Sequence, residues 1–477
     1  MDSGETYDAV VVGSGPNGLA AAITLQQQGL QVLLLEAKDT IGGGMRTAEL
    51  TLPGFHHDIC SAVHPMGAAS PFLRSLPLHK FGLEYIHPEI LAAHPFDDGT
   101  AAALYQSLDL TASELGADGK AYRALFEPLV KSWSRIDTHI LGPMLKIPSN
   151  PIALARFGLK SLQSGKQIAA RFHTKEARGL WSGMVAHSMI PLEDLTSSAI
   201  GFVLTIAGHQ GGWPIPKGGS QRIADALAGY FRSLGGTLQT HINVRTLSDL
   251  PDAKAVLFDV SPRYLLQICG DSLSSFYRWQ LKRHRYGMGV FKVDWALSEP
   301  VPFKSAVARK AGVVHLGGTF DEVAAGERQV WQGKYPDKPF VLFAQQSIFD
   351  NSRAPAGKHT GWAYCHVPNG STKDMTEVIV DQVERFAPGF RDTILATHTF
   401  NTAEMEVYNP NYIGGDINGG VVNIAQLFNR PVLRFSPYRT SARGIYICSA
   451  STPPGGGVHG MSGYYAAKQA LKDIFND

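Results

Sequence analysis

Tyr7 to Glu36 reads YDAVVVGSGPNGLAAAITLQQQGLQVLLLE. Its order is strand, glycine turn, helix, strand, acid. Tyr7 to Val12 is a short apolar, β-branched run suited to a strand buried on both faces. Gly13, Gly15 and Gly18 follow with the spacing GxGxxG. In that spacing the first glycine permits the tight turn and the second lets backbone approach a pyrophosphate. The third lets the helix pack against the strand. Pro16 suits the first helical position, where its missing N–H is no loss, and Asn17 continues that turn. The helix is expected to stop near Gly29. Gln31 to Leu35 forms the second strand and ends at Glu36, placed to accept hydrogen bonds from the ribose hydroxyls of an unphosphorylated adenosine. The unit predicts a dinucleotide site with its phosphates at a helix N-terminus. By itself it leaves FAD and NAD both open.

At 477 residues, with 44% apolar and 18% charged residues, the chain is long enough for two or three domains or one with a large insertion. Net charge is +2 without a long basic run, which argues against a nucleic-acid partner. The four cysteines, Cys60, Cys269, Cys365 and Cys448, are far apart and form no CxxC. They indicate neither a redox dithiol nor a zinc ribbon, and no metal site is expected. No signal peptide and no apolar run near the ~18–20 residues of a spanning helix is visible. A cytoplasmic protein, with contact to a membrane surface as an addition, is the expectation.

Beyond Glu36, the stretch AKDTIGGGMRT places Gly42, Gly43 and Gly44 in a second tight turn, with Met45 and Arg46 after it. Backbone and a cation here would lie along the same nucleotide. Residues 70 to 210 change character. Leu104 to Val130 has helical periodicity. Lys146 to Arg178 holds seven Lys or Arg and one acid among apolar residues such as Ile152, Leu154, Phe157, Leu159 and Leu162. That stretch is a solvated helical face or a basic amphipathic surface that rests on a membrane. Residues 181 to 209 are apolar and helical in pattern, fit to line a core or cavity.

From Lys217 the strand–helix–strand order returns, with a helix from Gln221 to Leu234 and strands over Thr237 to Val244 and Ala255 to Val260. Residues 285 to 430 read as an antiparallel sheet with helices, with strands at Val290 to Leu297 and Phe340 to Gln345. The C-terminal STPPGGGVHGMSG follows a strand at Ile445 to Ser449 and opens a last helix, in which Gly460, Gly463 and Ala467 share one face. This is a second strand–glycine turn–helix unit, and its helix N-terminus favours a negative group. Two such units, one at each end, suit a large two-ended cofactor whose reduced ring carries negative charge. That combination favours FAD over NAD. No second GxGxxG in strand–turn–helix context appears between them.

The motifs GSGPNG at 13–18, Glu36, IGGGMRT at 41–47, PKGGSQRIADAL at 216–227 and STPPGGGVHGMSG at 451–463 resemble the flavin-dependent desaturase and amine-oxidase superfamily. They run in that superfamily's order over nearly the whole chain. PGFHHDICSAVHP, SIFDNSRAPAGKHTGWAYCHVPNG and ERFAPGF are similar to its phytoene-desaturase-like branch, in particular to relatives of pyridine nucleotide-disulfide oxidoreductase domain-containing protein two. The resemblance implies an α/β chain: a glutathione-reductase-type FAD-binding Rossmann domain (1–70, 212–275 and 435–477) with an inserted α+β substrate domain (71–211 and 276–434). Within the latter, 104–210 is helical and faces a membrane if any part does.

It also implies FAD contacts from Gly13, Gly15, Pro16, Asn17, Gly18, Glu36, Ala37, Gly43, Gly44, Met45, Arg46 and Val244. Gly456, Gly457, Val458 and Met461 would lie along the flavin end. The implied reaction moves hydride from a C–H bond of an apolar or amphipathic small molecule to flavin N5, with oxygen or a quinone as reoxidant. A double-bond isomerase and a flavin-containing assembly factor are the alternatives carried beside it. His459, in the flavin-end turn, is the first candidate to move a proton or stabilise the reduced ring. His64 and Tyr464 are further candidates, as is His57. His209 and Trp213 are candidate cavity walls.

Overall fold

The structure is a computed structural model that describes residues 6–143 and 148–475, so Lys146 of the basic stretch lies outside the described residues. Two sheets organise the chain. The first is parallel, with strands in the order Ile445–Ile447, Ala255–Phe258, Ala9–Val12, Val32–Leu35 and Thr237–Gln239. Parallel strands need crossovers and cover on both faces, which is why these strands are continuous apolar runs. Ala9 and Val11 face one core, with the helices Pro16–Gln26, Gln221–Ser233 and Met461–Ala470. Val10 and Val12 face another, built from Leu265, Ile268, Tyr277 and Leu281 of two further helices.

The second sheet has seven strands in the order Ile394–Phe400, Gly289–Leu297, His359–Val367, Val341–Ala344, Ala311–Leu316, Ile90–Pro95 and Ala101–Tyr105. All its pairings are antiparallel except Ala311–Leu316 with Ile90–Pro95. The period of two along each strand divides its side chains. Trp295, Phe343, Ala363 and Cys365 pack on one side with Val383 and Phe386 of the helix Thr376–Phe386. Val313, Leu342, Trp362 and Tyr364 are on the other side, toward the helices between residues 108 and 211 and toward the nucleotide-binding unit.

Several boundaries differ from the sequence expectation. The helical stretch at Leu104 begins as the end of an edge strand, Ala101–Tyr105, and helix starts only at Leu108, capped by the Ser107 hydroxyl. Residues 181 to 209 are two helices, Lys175–Ala186 and Ser197–Gly211, separated by a turn in which Met189 and Thr196 have φ of 53° and 73°. The strand from Thr237 stops at Gln239, because His241 takes a φ of 60° and turns the chain beneath Glu36.

The two ends of the chain meet directly. The helix Pro16–Gln26 packs lengthwise on Met461–Ala470. A Cβ on Gly463 would lie 1.7 Å from the Asn17 carbonyl oxygen, and one on Gly460 would lie 2.9 Å from Ala20 Cβ. The glycine face of the last helix therefore has a physical reason: it lets the backbone of the second unit touch the backbone of the first. Gly463→Ala is expected to destabilise the fold by about 3 kcal/mol or more, since neither backbone can relax locally. Chemical denaturation checks this, and an unchanged midpoint would show the two helices to be free to part.

Candidate functional site

The carboxyl ends of the parallel strands stand level, with Val12 in register with both Leu35 and Phe258. The loops that leave them converge: the glycine turn after Val12, Glu36 after Leu35, Asp259 after Phe258 and Ser449 after Ile447. A ligand crevice forms outside such an edge. Here it opens into one cavity of about 450 Å³, running from Gly13, Glu36, Lys38 and Val244 to Trp213, Val313, Leu342 and Trp362.

At the nucleotide end Gly13 has a φ of 100°, and a Cβ on Gly18 would lie 1.8 Å from the Gly13 carbonyl oxygen. The first and third glycines are thus fixed by the turn and the helix–strand contact. Gly15, Pro16, Asn17, Ala37, Gly43 and Gly44 line the cavity. Glu36 is buried at the strand end. Its carboxylate accepts from Ser14 N (3.0 Å), Ser14 Oγ (2.5 Å), Lys38 N (2.9 Å) and Arg46 (3.2 Å). Arg46 also donates to the Thr40 carbonyl at 2.7 Å and lies 5.4 Å from the Tyr408 ring centroid. The acid is held by four donors at the cavity wall, and the arginine beside it is held by carbonyl, carboxylate and ring.

Asp259 departs from the expectation of helix N–H groups all aimed at a phosphate. Its Oδ2 accepts from Gly18 N at 2.9 Å, so the third-residue N–H of the helix is already taken. A Cβ on Gly15 would lie 2.8 Å from the same oxygen. Burial, with Glu36 nearby adding to it, pushes the Asp259 carboxyl up to about 7. A protonated carboxyl here removes a negative charge from beside the place where two phosphates would lie.

At the other end, Pro454 to His459 line the cavity, with Gly455 and Gly457 at φ of +118° and +119°. His459 is fully buried. Its Nε2 donates to the Gly455 carbonyl (3.1 Å) and its Nδ1 accepts from Met461 N (3.0 Å). Burial drops its pKa to about 4. Both nitrogens are spent on the turn, so the ring braces it and does not relay protons, contrary to the sequence expectation. The same wall holds Arg430, which the sequence did not single out. It is buried, and it donates to the carbonyls of Asn418 (2.6 Å), Ala450 (2.9 Å) and Gly420 (3.0 Å). A guanidinium fixed among carbonyls beside Gly455 supplies positive potential to whatever lies on that turn.

His64 lines the cavity and keeps one nitrogen unused. Ser220 Oγ donates to the Ser61 carbonyl (2.7 Å), so His64 Nε2 is the donor in its 2.8 Å contact with Ser220. Nδ1 is left buried without a partner. Burial lowers the His64 pKa to about 4. Several other candidates are elsewhere. Gly18, Met45, Met461, Tyr464, His57 and His209 do not border the cavity. Met45 and Met461 are core residues, and the Met461 N–H is used by His459. Tyr464 packs its ring on Phe72 and Tyr465. His209 is bonded to Tyr122 Oη (2.7 Å) and the Gln106 carbonyl (3.0 Å), while Trp213 does line the wall. His57 sits 3.6 Å from Asp294 in a buried cluster with Asp58, Arg353 and Lys292. Burial, followed by those two cations, drops it to about 3.

While His187 falls in the 181–209 stretch expected to line a core or cavity, the walls that sequence reasoning missed are Tyr408, Asn411, Tyr412, Asn418, Arg430, Trp362 and Tyr364. No spacing in the chain marks them, because they come together only through the sheet and the loops above it. Among the described residues no group of His, Cys, Asp and Glu could hold a metal ion.

The Asp259 geometry gives a pH signature. Its folded pKa of about 7 lies above the ordinary carboxyl value of 3.8, so the folded chain binds this proton more tightly than the unfolded one. Its contribution to stability is full below about pH 4 and is lost as pH rises through 7, on the order of a few kcal/mol. Asp259→Asn is expected to flatten that loss in melting curves taken between pH 4 and pH 8; an unaltered slope would assign the proton elsewhere.

Residues 11–76 match the family described as NAD(P)-binding Rossmann-like domain. Over its whole length the chain is similar to the mouse pyridine nucleotide-disulfide oxidoreductase domain-containing protein 2, with 24% identity covering 98% of this chain and 94% of that one. It is also similar to a subunit of the limonene dehydrogenase of Castellaniella defragrans, with 21% identity covering 99% and 96%. Among solved structures, cyclohexylamine oxidase from Brevibacterium oxydans superposes with a TM-score of 0.61 at 16% identity, covering 99% of this chain and 100% of that one. Glycine turns at both ends, a ribose-level acid and one continuous cavity fit the two-ended FAD expected from the sequence. In fold, and in sequence at 21–24% identity, the chain resembles FAD-dependent amine-oxidase and desaturase-like oxidoreductases.

Proposed function

We propose that this chain is an FAD-dependent oxidoreductase that removes hydride from a C–H bond of an uncharged, apolar or amphipathic small molecule. One observation carries this reading: the nucleotide-binding loops and an apolar wall border the same cavity. Ile140, Leu141, Ile200, Val203, Leu204 and Val313 form much of that wall. A bound flavin supplies the hydride acceptor; the rest is positioning and electrostatics.

The residues divide the work by place. Gly13, Gly15 and Gly43 bring backbone close enough to hold a diphosphate, and Glu36 would orient the adenosine ribose. Arg430 and the 454–458 turn stabilise negative charge at the opposite end. The aliphatic wall binds the carbon skeleton and excludes water, worth roughly 25 cal/mol for each Å² of apolar surface covered. Along the apolar half no carboxylate lines the wall among the described residues, which disfavours a cationic amine.

The purified chain is expected to carry about one FAD per polypeptide. Glu36→Ala should weaken FAD binding at least tenfold, as the ribose contacts are lost. Anaerobic mixing with long-chain alkenes, alcohols or ketones should bleach the flavin band for the matching compound, whereas alkylamines should not. A colourless preparation that takes up no FAD would falsify this assignment.

We also propose that the protein rests on an anionic membrane. Among the described residues no helix is long and apolar enough to cross one. However, the helix Pro151–Ser161 leaves Ile152 and Leu159 at 74% and 70% exposed beside Arg156 and Lys160. Leu433 and Phe435 are also exposed, at 65% and 82%. Apolar side chains next to cations are the chemistry of an interfacial surface. Co-sedimentation with anionic vesicles should fall several-fold in Arg156→Glu/Lys160→Glu and disappear at high salt. No sedimentation of the unaltered chain at low salt would end the proposal.

A further inference from the structure

Behind the apolar wall lies a group of imidazoles, His187 half-buried and His315 and His366 buried, that the proposed function does not use. His187 caps the helix Lys175–Ala186 and borders the cavity. His315 lies on the cavity side of the strand Ala311–Leu316, and its Nε2 is 3.1 Å from His187 Nε2. His366, two residues from the lining residue Tyr364, has Nδ1 2.7 Å from the buried Glu327 carboxylate. Phe340 stands beside both His315 and His366, with ring centroids 5.6 and 5.9 Å away. The backbone is shaped for these rings. A Cβ on Gly183 would lie 2.3 Å from His315 Nδ1, so only glycine admits that imidazole.

The contact between two imidazole nitrogens fixes which one carries hydrogen. Burial holds both rings neutral, with His187 down to about 3 and His315 well below its ordinary value. One Nε2 must then donate and the other accept. His315 Nδ1 is buried with no partner. A buried N–H without an acceptor is rarer and more costly than a bare acceptor nitrogen. His315 therefore keeps Nδ1 bare and donates through Nε2. His187 accepts at Nε2, and its hydrogen is on Nδ1, which has no partner among the described residues. His187, which borders the cavity, thus keeps one neutral N–H donor uncommitted.

We propose that His187 Nδ1–H is the recognition point for an uncharged oxygen acceptor on the substrate, a ketone, aldehyde or hydroxyl oxygen. The substrate is then an amphipathic molecule with one such oxygen on an otherwise apolar skeleton. His315 is a positioning residue that sets the tautomer. The buried Glu327 carboxylate behind the wall disfavours an anionic head group such as a carboxylate. This inference rests on the proposed use of the cavity as the substrate site.

The test uses the purified full-length protein and tryptophan fluorescence, since Trp213 and Trp362 line the cavity. The probes are n-octane, octan-2-one, 1-octanol and octanoate, so neither turnover nor flavin is needed for the readout. Octan-2-one and 1-octanol are expected to bind about tenfold tighter than n-octane, the scale of one net hydrogen bond. Octanoate should bind more weakly than either. His187→Phe should collapse the difference between octan-2-one and n-octane to within twofold, and His187→Gln, which keeps a donor, should restore part of it.

Equal binding of octane and octanone to the unaltered protein overturns the inference, and that measurement requires no variant to fold. So does tightest binding by octanoate, or a preference that survives His187→Phe. If none of the four probes binds, the cavity is not an apolar substrate site, and the proposed function falls with the inference.

Discussion

The carbonyl oxygen of Asn17 occupies the space that any side chain at residue 463 would need. That one exclusion holds the first and last helices backbone to backbone. It also sets the glycine turn at 13–18 opposite the turn at 454–458. Everything between them in sequence has to leave the first unit, build a second sheet and return. The cavity is the space that this return encloses, and its two glycine-lined ends are the two ends of the chain.

The join between sheets is polar where it is most deeply buried. Asp58, just beyond the second glycine turn, pairs with Arg353 at 2.5 Å and accepts from Ser220 N at 2.8 Å and Thr47 Oγ1 at 2.7 Å. Its main-chain carbonyl accepts from the Trp362 indole at 2.8 Å. Lys292 and Asp294 form a second ion pair close by, within the seven-stranded sheet. Two acids and two bases cancel. Such pairs add little net stability over an apolar filling, but removing one partner leaves an unpaired charge worth several kcal/mol of destabilisation. They fix how the sheet, the loop at residue 58 and the helix start at Ser220 sit together, and so which side chains face the cavity.

Local patterns in the chain made the nucleotide half legible. Gly13, Gly15, Gly18 and Glu36 act within one strand–turn–helix–strand unit, and their spacing carries the geometry. Gly463 was legible for the same reason, as one face of a helix. The reading of His459 failed differently. Its place in the turn was right, but its two hydrogen bonds, to Gly455 and Met461, leave no nitrogen for chemistry. Asp259 and Arg430 were not legible as site residues. A strand-end aspartate and a loop arginine look alike in any chain until the strand lies beside the glycine turn and the loop closes on residue 455.

The sequence alone determined that the two ends of this chain carry strand–glycine turn–helix units of the kind that suits an extended nucleotide cofactor, because glycine spacing and apolar runs are local properties. The tertiary structure alone decided what faces the cofactor's far end. Trp362, Tyr364, Val313 and Leu342 reach the cavity through strand pairings across the seven-stranded sheet. Those contacts depend on register and packing between segments far apart in the chain, and no short pattern encodes them.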